Sequence, residues 1–326
     1  MAAVGAAARS SRRGFGSRLR KLWSPIAETQ GLARVMLVAG AVITFFFVVL
    51  ALFGRWIAPY GFSQYQAGGH RFPQLAPPSG AHLMGTTVES DDVLSRIVWG
   101  AQTELKVVVL ALVFSLMLGV PLGLLSGYFG GVWDRGLVLV MDAFFAFPPL
   151  LLAIVIAFLL GSTVSSSVVT AAIAITVVYV PQYFRVVRNH VISLREETYV
   201  EAARALGARP FRIIHKYVFF NVVQNVPVIA TLNAADAILL LAALGFLGYG
   251  VQPTEAAEWG YDVQRALSDA TTGIWWTGLF PGLAIVILVT GITLLGEGLN
   301  ETINPVLRKR RVVKVVFPGK GTGRVE

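Results

Sequence analysis

The run VMLVAGAVITFFFVVLALF, Val35 to Phe53, holds nineteen residues without a charge. At about 1.5 Å per residue, a helix of that length nearly crosses a hydrocarbon layer roughly 30 Å thick. Lipid offers the backbone no hydrogen bonds, so such a run spans a membrane as a helix that satisfies its own N–H and C=O groups. It begins late and leads into Gly54, Arg55 and Trp56 without a small-residue cleavage pattern, which reads as a retained helix and not as a signal peptide. Five more runs follow. Val107 to Ser126 is the second and Leu137 to Leu160, with Asp142 and the Pro148-Pro149 pair, the third. Val168 to Phe184 is the fourth, Val222 to Leu247, with Pro227, Asn233 and Asp236, the fifth, and Gly278 to Leu295 the sixth. The expectation is six transmembrane helices in an all-α polytopic membrane protein.

Composition agrees: 55% of the 326 residues are hydrophobic and 14% charged, too few charges to cover two soluble domains. With no cysteine there is no disulfide, thiolate chemistry or cysteine metal site. The net charge of +9 is explained by where the cations lie. Seven Lys/Arg precede the first span (Arg9 to Arg34), seven lie between the fourth and fifth (Arg185 to Lys216), and seven follow the last (Arg308 to Arg324). Residues 54–103 and 248–277 together hold only Arg55, Arg71, Arg96 and Arg265. This positive-inside pattern places both termini in the cytoplasm and leaves no surplus that calls for nucleic acid. The chain therefore divides into a basic tail (1–34), a first span (35–53), an extracytoplasmic segment (54–103), a five-span core (104–297) and a second basic tail (298–326). Val88 to Arg96 reads as a short external helix, and the acidic Glu255, Glu258, Asp262 and Asp269 fall in an ordered outer loop.

Within the core, residues 189–221 are patterned like soluble protein. Ser193 and Glu196 fit a capping box, predicting a helix from Leu194. Tyr199, Ala202, Ala203 and Leu206 recur at helical spacing, and Glu201 stands three residues before Arg204. Gly207 supplies a residue able to take positive φ and end the helix, and Pro210 opens a second one in which Phe211, Ile214 and Val218 line one face. The result is a helix, a tight turn and a helix on the cytoplasmic side. By residues alone this is either a knob for a partner's groove or a solvated connector whose charges serve topology.

Glu201-Ala202-Ala203, three residues, Gly207, then Ile213-Ile214 and a basic stretch resemble the EAA loop of binding-protein-dependent ABC importer permeases. MGTTVESDDVLSRIVWGA at 84–101, GVPLGLLSGYFGG at 119–131, Ala243 to Gly250 with Glu258-Trp259-Gly260, and LLGEGLNETINPVLRKR at 294–310 resemble the dipeptide/oligopeptide/nickel branch of that family, the type with an extra N-terminal region. The likeness covers about residues 30–311. Thr87 stands where the family usually has aspartate, Ser90-Asp91 where it has Gly-Arg, and Phe220 where it has proline, so a fixed bend before the fifth span is lost.

The resemblance implies a type I, MetI-like permease fold in a prokaryotic cell membrane. It implies half of a pathway for dipeptides or oligopeptides, completed by a homologous permease subunit. Two cytoplasmic ATP-binding subunits would each receive one EAA segment, and an extracytoplasmic binding protein would deliver the substrate. Glu201, Ala202, Ala203 and Gly207 would couple the chain to its ATPase. The chain has no G-x-x-x-x-G-K-[ST] loop, so ATP and Mg belong to the partners, and no cofactor, metal site or catalytic residue is expected in it.

Asp142, Asn233 and Asp236 are costly in lipid and should face protein or water. Asp142, five residues past the start of its span, fits an interfacial position; for Asp236, deeper in its span, a place on a hydrophilic route and a helix contact are equally open. His70 and His82 fall outside and His190 and His215 inside, so no metal cluster forms. An ion-coupled secondary transporter would require an inverted repeat, which is not visible. A noncatalytic scaffold is the other alternative.

Overall fold

The computed structural model describes residues 31–161, 163–224 and 226–303; most of the two basic tails lies outside them. Among the described residues, five helices are long and apolar enough to cross a membrane. They are α1 (Leu32–Ile57), α2 (Val93–Phe129), α5 (Ser167–Arg195), α9 (Val226–Phe246) and α11 (Trp276–Ile303). The run expected as a third span is α3 (Gly131–Phe145) and α4 (Pro149–Gly161), which meet at 96°. Pro149 has no N–H to continue α3, and Pro148 restricts the residue before it, so the run breaks where a single span was expected.

Contacts fix the direction of each helix. α2 starts beside the irregular segment 58–92, where Tyr60 N donates to Ser95 Oγ at 3.1 Å. It ends beside the segment that follows α5, where Arg195 Nη1 donates to Gly127 O at 3.2 Å. α11 likewise starts at the 58–92 end, with Trp276 Nε1 donating to Thr86 O at 3.2 Å, and its far end meets Leu37 near the start of α1. The helices alternate in direction, so the described chain begins and finishes at the same end as residues 196–218.

The centre of the bundle is α2 against α5. Gly119, Gly123 and Gly127, each four residues apart, lie along the seam: a Cβ on Gly123 would stand 2.7 Å from Phe184 O, and one on Gly127 2.8 Å from Arg188 O. Small residues at this spacing let helix backbones touch, which is how helices gain packing energy in lipid, where no hydrophobic force draws them together. Around this seam a cluster that includes Val107, Ala111, Ile175, Ile238, Leu241 and Leu288 is fully buried. Val38, Val42, Phe45, Phe46 and Leu52 on the outer side of α1 remain exposed, as lipid-facing positions must.

The 58–92 end is tied by polar contacts. A small hairpin pairs β1 (Gln66–Ala67) with β2 (His70–Arg71). The short external helix expected over Val88 to Arg96 does not form on its own. Residues 88–92 are irregular, and Asp92 caps the start of α2 by accepting from Ser95 N at 2.8 Å. His82 Nδ1 meets Asp92 at 2.9 Å, and Arg96 holds Asp262 at 2.5 Å and Asp91 at 3.4 Å. Asp262 belongs to α10 (Trp259–Ala270), which orders most of the acidic loop.

Candidate functional site

The polar stretch after α5 folds into two short helices at the basic end of the bundle. Ser193 does not cap a helix: its hydroxyl donates to Asn189 O within α5, which runs on to Arg195. The chain breaks at Glu196 and Glu197, and α6 (Thr198–Ala205) begins with no side-chain cap. The helix start expected at Leu194 is therefore not found: the preceding span continues past it, with Val191 buried against its neighbours.

The end of α6 follows its sequence closely. Gly207 takes φ 78°, Gly207 N donates to Arg204 O and Ala208 N to Ala203 O, both at 3.0 Å. These are the two bonds of a Schellman turn, which needs a residue free to adopt positive φ. Pro210 then stands at the start of α7 (Pro210–Ile213). Ile214–Val218 make a π-helical turn leading to α8 (Phe219–Val223). With no proline at Phe220, this widened turn supplies the irregularity before α9.

The buried face cuts across the two stripes that helical spacing picks out, Tyr199-Ala202-Ala203-Leu206 and Phe211-Ile214-Val218. Val200 and Ala203 point inward with Ile213, Ile214 and Val218, against Val120, Leu124, Val187 and Val191 of α2 and α5. Glu201 and Ala202 face out. Leu206 is 88% exposed and Phe211 70% exposed, so the apolar tip of the knob is bare. Phe211, expected to share one face with Ile214 and Val218, instead meets the edge of the Phe129 ring with centroids 5.9 Å apart. Arg204, Arg209, Arg212 and Lys216 surround this tip, all exposed. Helical spacing alone selects several possible stripes on so short a helix, and only the groove between α2 and α5 chooses among them. The site therefore presents a basic, apolar-tipped projection.

A further ion pair holds the floor of this region and was not anticipated. Arg188 Nε and Nη2 donate to the two carboxylate oxygens of Asp134 at 2.6 and 2.7 Å, and Ser126 also donates to Asp134. This joins α2, α3 and α5 at the level of the knob. The residues lie 54 positions apart, so sequence spacing carries no signal of the pairing.

The three polar residues of the spans fall in different surroundings. Asp142 pairs with Arg185 at 2.8 Å, both side chains about half exposed, and the Arg185 guanidinium lies 4.0 Å from the centre of the Phe145 ring. Asn233 is buried, and neither its Nδ2 nor the Tyr183 hydroxyl beside it reaches a hydrogen-bond partner. Asp236 is exposed within a cavity of about 560 Å³ between α9, α5 and the α3–α4 break.

At the opposite end Glu258 caps α10, accepting from Gly260 N and Tyr261 N at 2.7 Å each. It is fully buried beneath Gly245. Burial pushes its carboxyl up to about 7 although those N–H groups favour the charged form. Glu104 faces it from α2, fully buried, and the two carboxyls interact directly, side chain to side chain.

Residues 119–309 match the family of the binding-protein-dependent transport system inner membrane component. The chain is 38% identical to the dipeptide transport system permease protein DppC of Alkalihalophilus pseudofirmus, over 83% of this chain and 86% of that one. It is 35% identical to the di/tripeptide transport system permease protein DppC of Pseudomonas aeruginosa, over 90% and 94%. It is 32% identical to the glutathione transport system permease protein GsiD of Pectobacterium atrosepticum, over 83% and 87%. A solved chain of the inward-facing MetNI methionine ABC transporter superposes with a TM-score of 0.51 at 21% identity, covering 64% of this chain and 96% of that one, which is a likeness of fold.

Proposed function

Since the chain belongs to the family of the inner membrane component of binding-protein-dependent transport systems, as the permease subunit of an ABC importer, we propose that it imports dipeptides or oligopeptides. It forms half of the pathway and pairs with a homologous permease subunit. Counting α3 and α4 as one broken span gives six spans, and the basic end, with both termini, faces the cytoplasm. Two ATP-binding subunits, which carry ATP and Mg, dock on that side, and a solute-binding protein delivers peptide from the other.

The observation that carries this reading is the knob. Its turn is held by Gly207 and the Schellman bonds, its base by Val200 and Ala203, and its tip exposes Glu201, Ala202, Leu206 and Phe211 among cationic side chains. Burying an aliphatic or aromatic side chain of that size is worth about 1.5–3 kcal/mol, so two such groups make a credible anchor in a partner's groove. Ala203 supports the knob from within, leaving Glu201 and Ala202 to face the ATPase. ATPase closure would push on the knob, and because it is packed on α2 and α5 the push reaches the central seam of the bundle.

The test is purification of the complex followed by reconstitution with its binding protein. A Walker-containing ATPase should copurify, and Gly207→Asp should insert normally yet lose ATP-driven peptide uptake. A non-glycine residue at this φ costs roughly 1–2 kcal/mol, and the added charge disturbs the docking face. Full uptake by this variant would remove the coupling role from the knob.

A further inference from the structure

We infer that the cavity around Asp236 is a binding site for a cationic group, and, resting on the importer reading above, that the group is the α-ammonium of the transported peptide. Asp236 stands near the midpoint of α9 (Val226–Phe246), where a carboxylate is expensive unless it meets water or a cation. It meets no cationic side chain among the described residues; Arg185, nearest in sequence to the cavity wall at Gln182, is held by Asp142. Among the described residues, Asp142 thus has its countercharge and Asp236 does not.

The walls fit the same chemistry. Phe144, Phe147 and Tyr179 line the cavity with Gln182 and Asp236, and Phe145 completes the aromatic side. Ring faces attract cations electrostatically, most strongly away from water, whereas they offer nothing to a carboxylate. A single carboxylate among such rings therefore selects for positive charge, with the Gln182 amide available to orient the group. The volume, about 560 Å³, lies within the range of small-molecule sites and accommodates the leading residues of a peptide. The α-ammonium is the one cation every unmodified peptide carries, so a site of this kind recognises peptides without reading their side chains. Delivered peptide would replace the countercharge that Asp236 lacks, and its departure would be favoured once the cavity opens to water on the other side.

The chain contains no cysteine, so Leu239→Cys, on the cavity wall, places a single thiol there. In membrane vesicles holding the complete transporter, labelling of this chain is followed by mass with two methanethiosulfonates of similar size, one bearing trimethylammonium and one sulfonate. The cationic reagent should react at least tenfold faster after correction for intrinsic reactivity. Adding Asp236→Asn should bring the ratio close to one, and a free-amine dipeptide should slow cationic labelling where its N-acetyl form does not. In the transporter without the thiol, Asp236→Asn should reduce dipeptide uptake about tenfold, with Asp236→Glu retaining most of it.

Equal labelling by both reagents, with or without Asp236, would overturn the site. So would a thiol that neither reagent reaches, which would mean that a side chain of the second permease subunit fills the cavity. A collapsed ratio with unimpaired peptide uptake would overturn the assignment to the cargo while the importer reading stood. Absence of ATP-driven peptide uptake by the unaltered transporter would instead remove the importer reading itself.

Discussion

Glu258 illustrates how one side chain can be set by opposing local forces. Its two backbone N–H donors stabilise the anion, and burial opposes them and prevails. A carboxyl raised in the folded state binds its proton more tightly than in the unfolded chain, so its contribution is intact below about 4.5 and is lost as pH rises towards about 7. Asp91 and Asp262, both raised by burial against the pull of Arg96, act in the same direction. Glu255 is the counterexample: burial raises it, but donation from Ser166 and Ser167 outweighs that and lowers it, so its stabilisation fails only in acid. The purified complex should therefore melt at a higher temperature at pH 5 than at pH 8, and Glu258→Gln should flatten that difference. Calorimetry at the two pH values checks it, and a variant with the full slope would place the effect elsewhere. Nothing in the neighbourhood of Glu258 in sequence foretells Glu104, which lies on another helix; the buried pair is a product of packing.

The knob and the broken helix show what single elements owe to their own residues. Gly207 and Pro210 were legible because each acts locally, one by permitting positive φ and the other by starting a helix without an N–H. Ser193 and Glu196 are equally local in form, yet α5 overrides them, since a helix held by Val187 and Val191 in the groove of α2 gains more than an early cap supplies. Asp134 and Arg188 tie this region from below. Arg188→Ala would leave Asp134 with Ser126 alone and should destabilise the complex by about 1.5–3 kcal/mol, the range for charged hydrogen bonds. Limited proteolysis should then cut within residues 196–210 faster than in the unaltered chain, and an unchanged rate would show that the knob does not depend on its floor.

Across the whole molecule, α1 is bound chiefly to α11 and lies against α2, an added helix clasped to the last one. Glycines make the clasp possible: a Cβ on Gly298 would stand 2.7 Å from the backbone of Leu37, and one on Gly291 2.5 Å from Ile43. Gly298→Leu cannot be accommodated by turning a side chain, because the obstacle is backbone. The variant should release α1 from α11, and a disulfide engineered between the two helices should form readily in the unaltered background and several-fold less in Gly298→Leu. Short stretches of residues were enough to read that this chain spans a membrane, roughly where the apolar runs lie, which end is basic, and where the knob turns. Those follow from apolar length, charge count and backbone freedom, each a property of a few neighbouring residues. Packing between distant segments sets the rest: that the third apolar run is two helices at 96°, which stripe of the knob is buried, and that, among the described residues, Asp142 has a countercharge while Asp236 faces a cavity without one. Each of these depends on which helices meet, and a meeting between residues far apart in the chain leaves no trace in the periodicity of either.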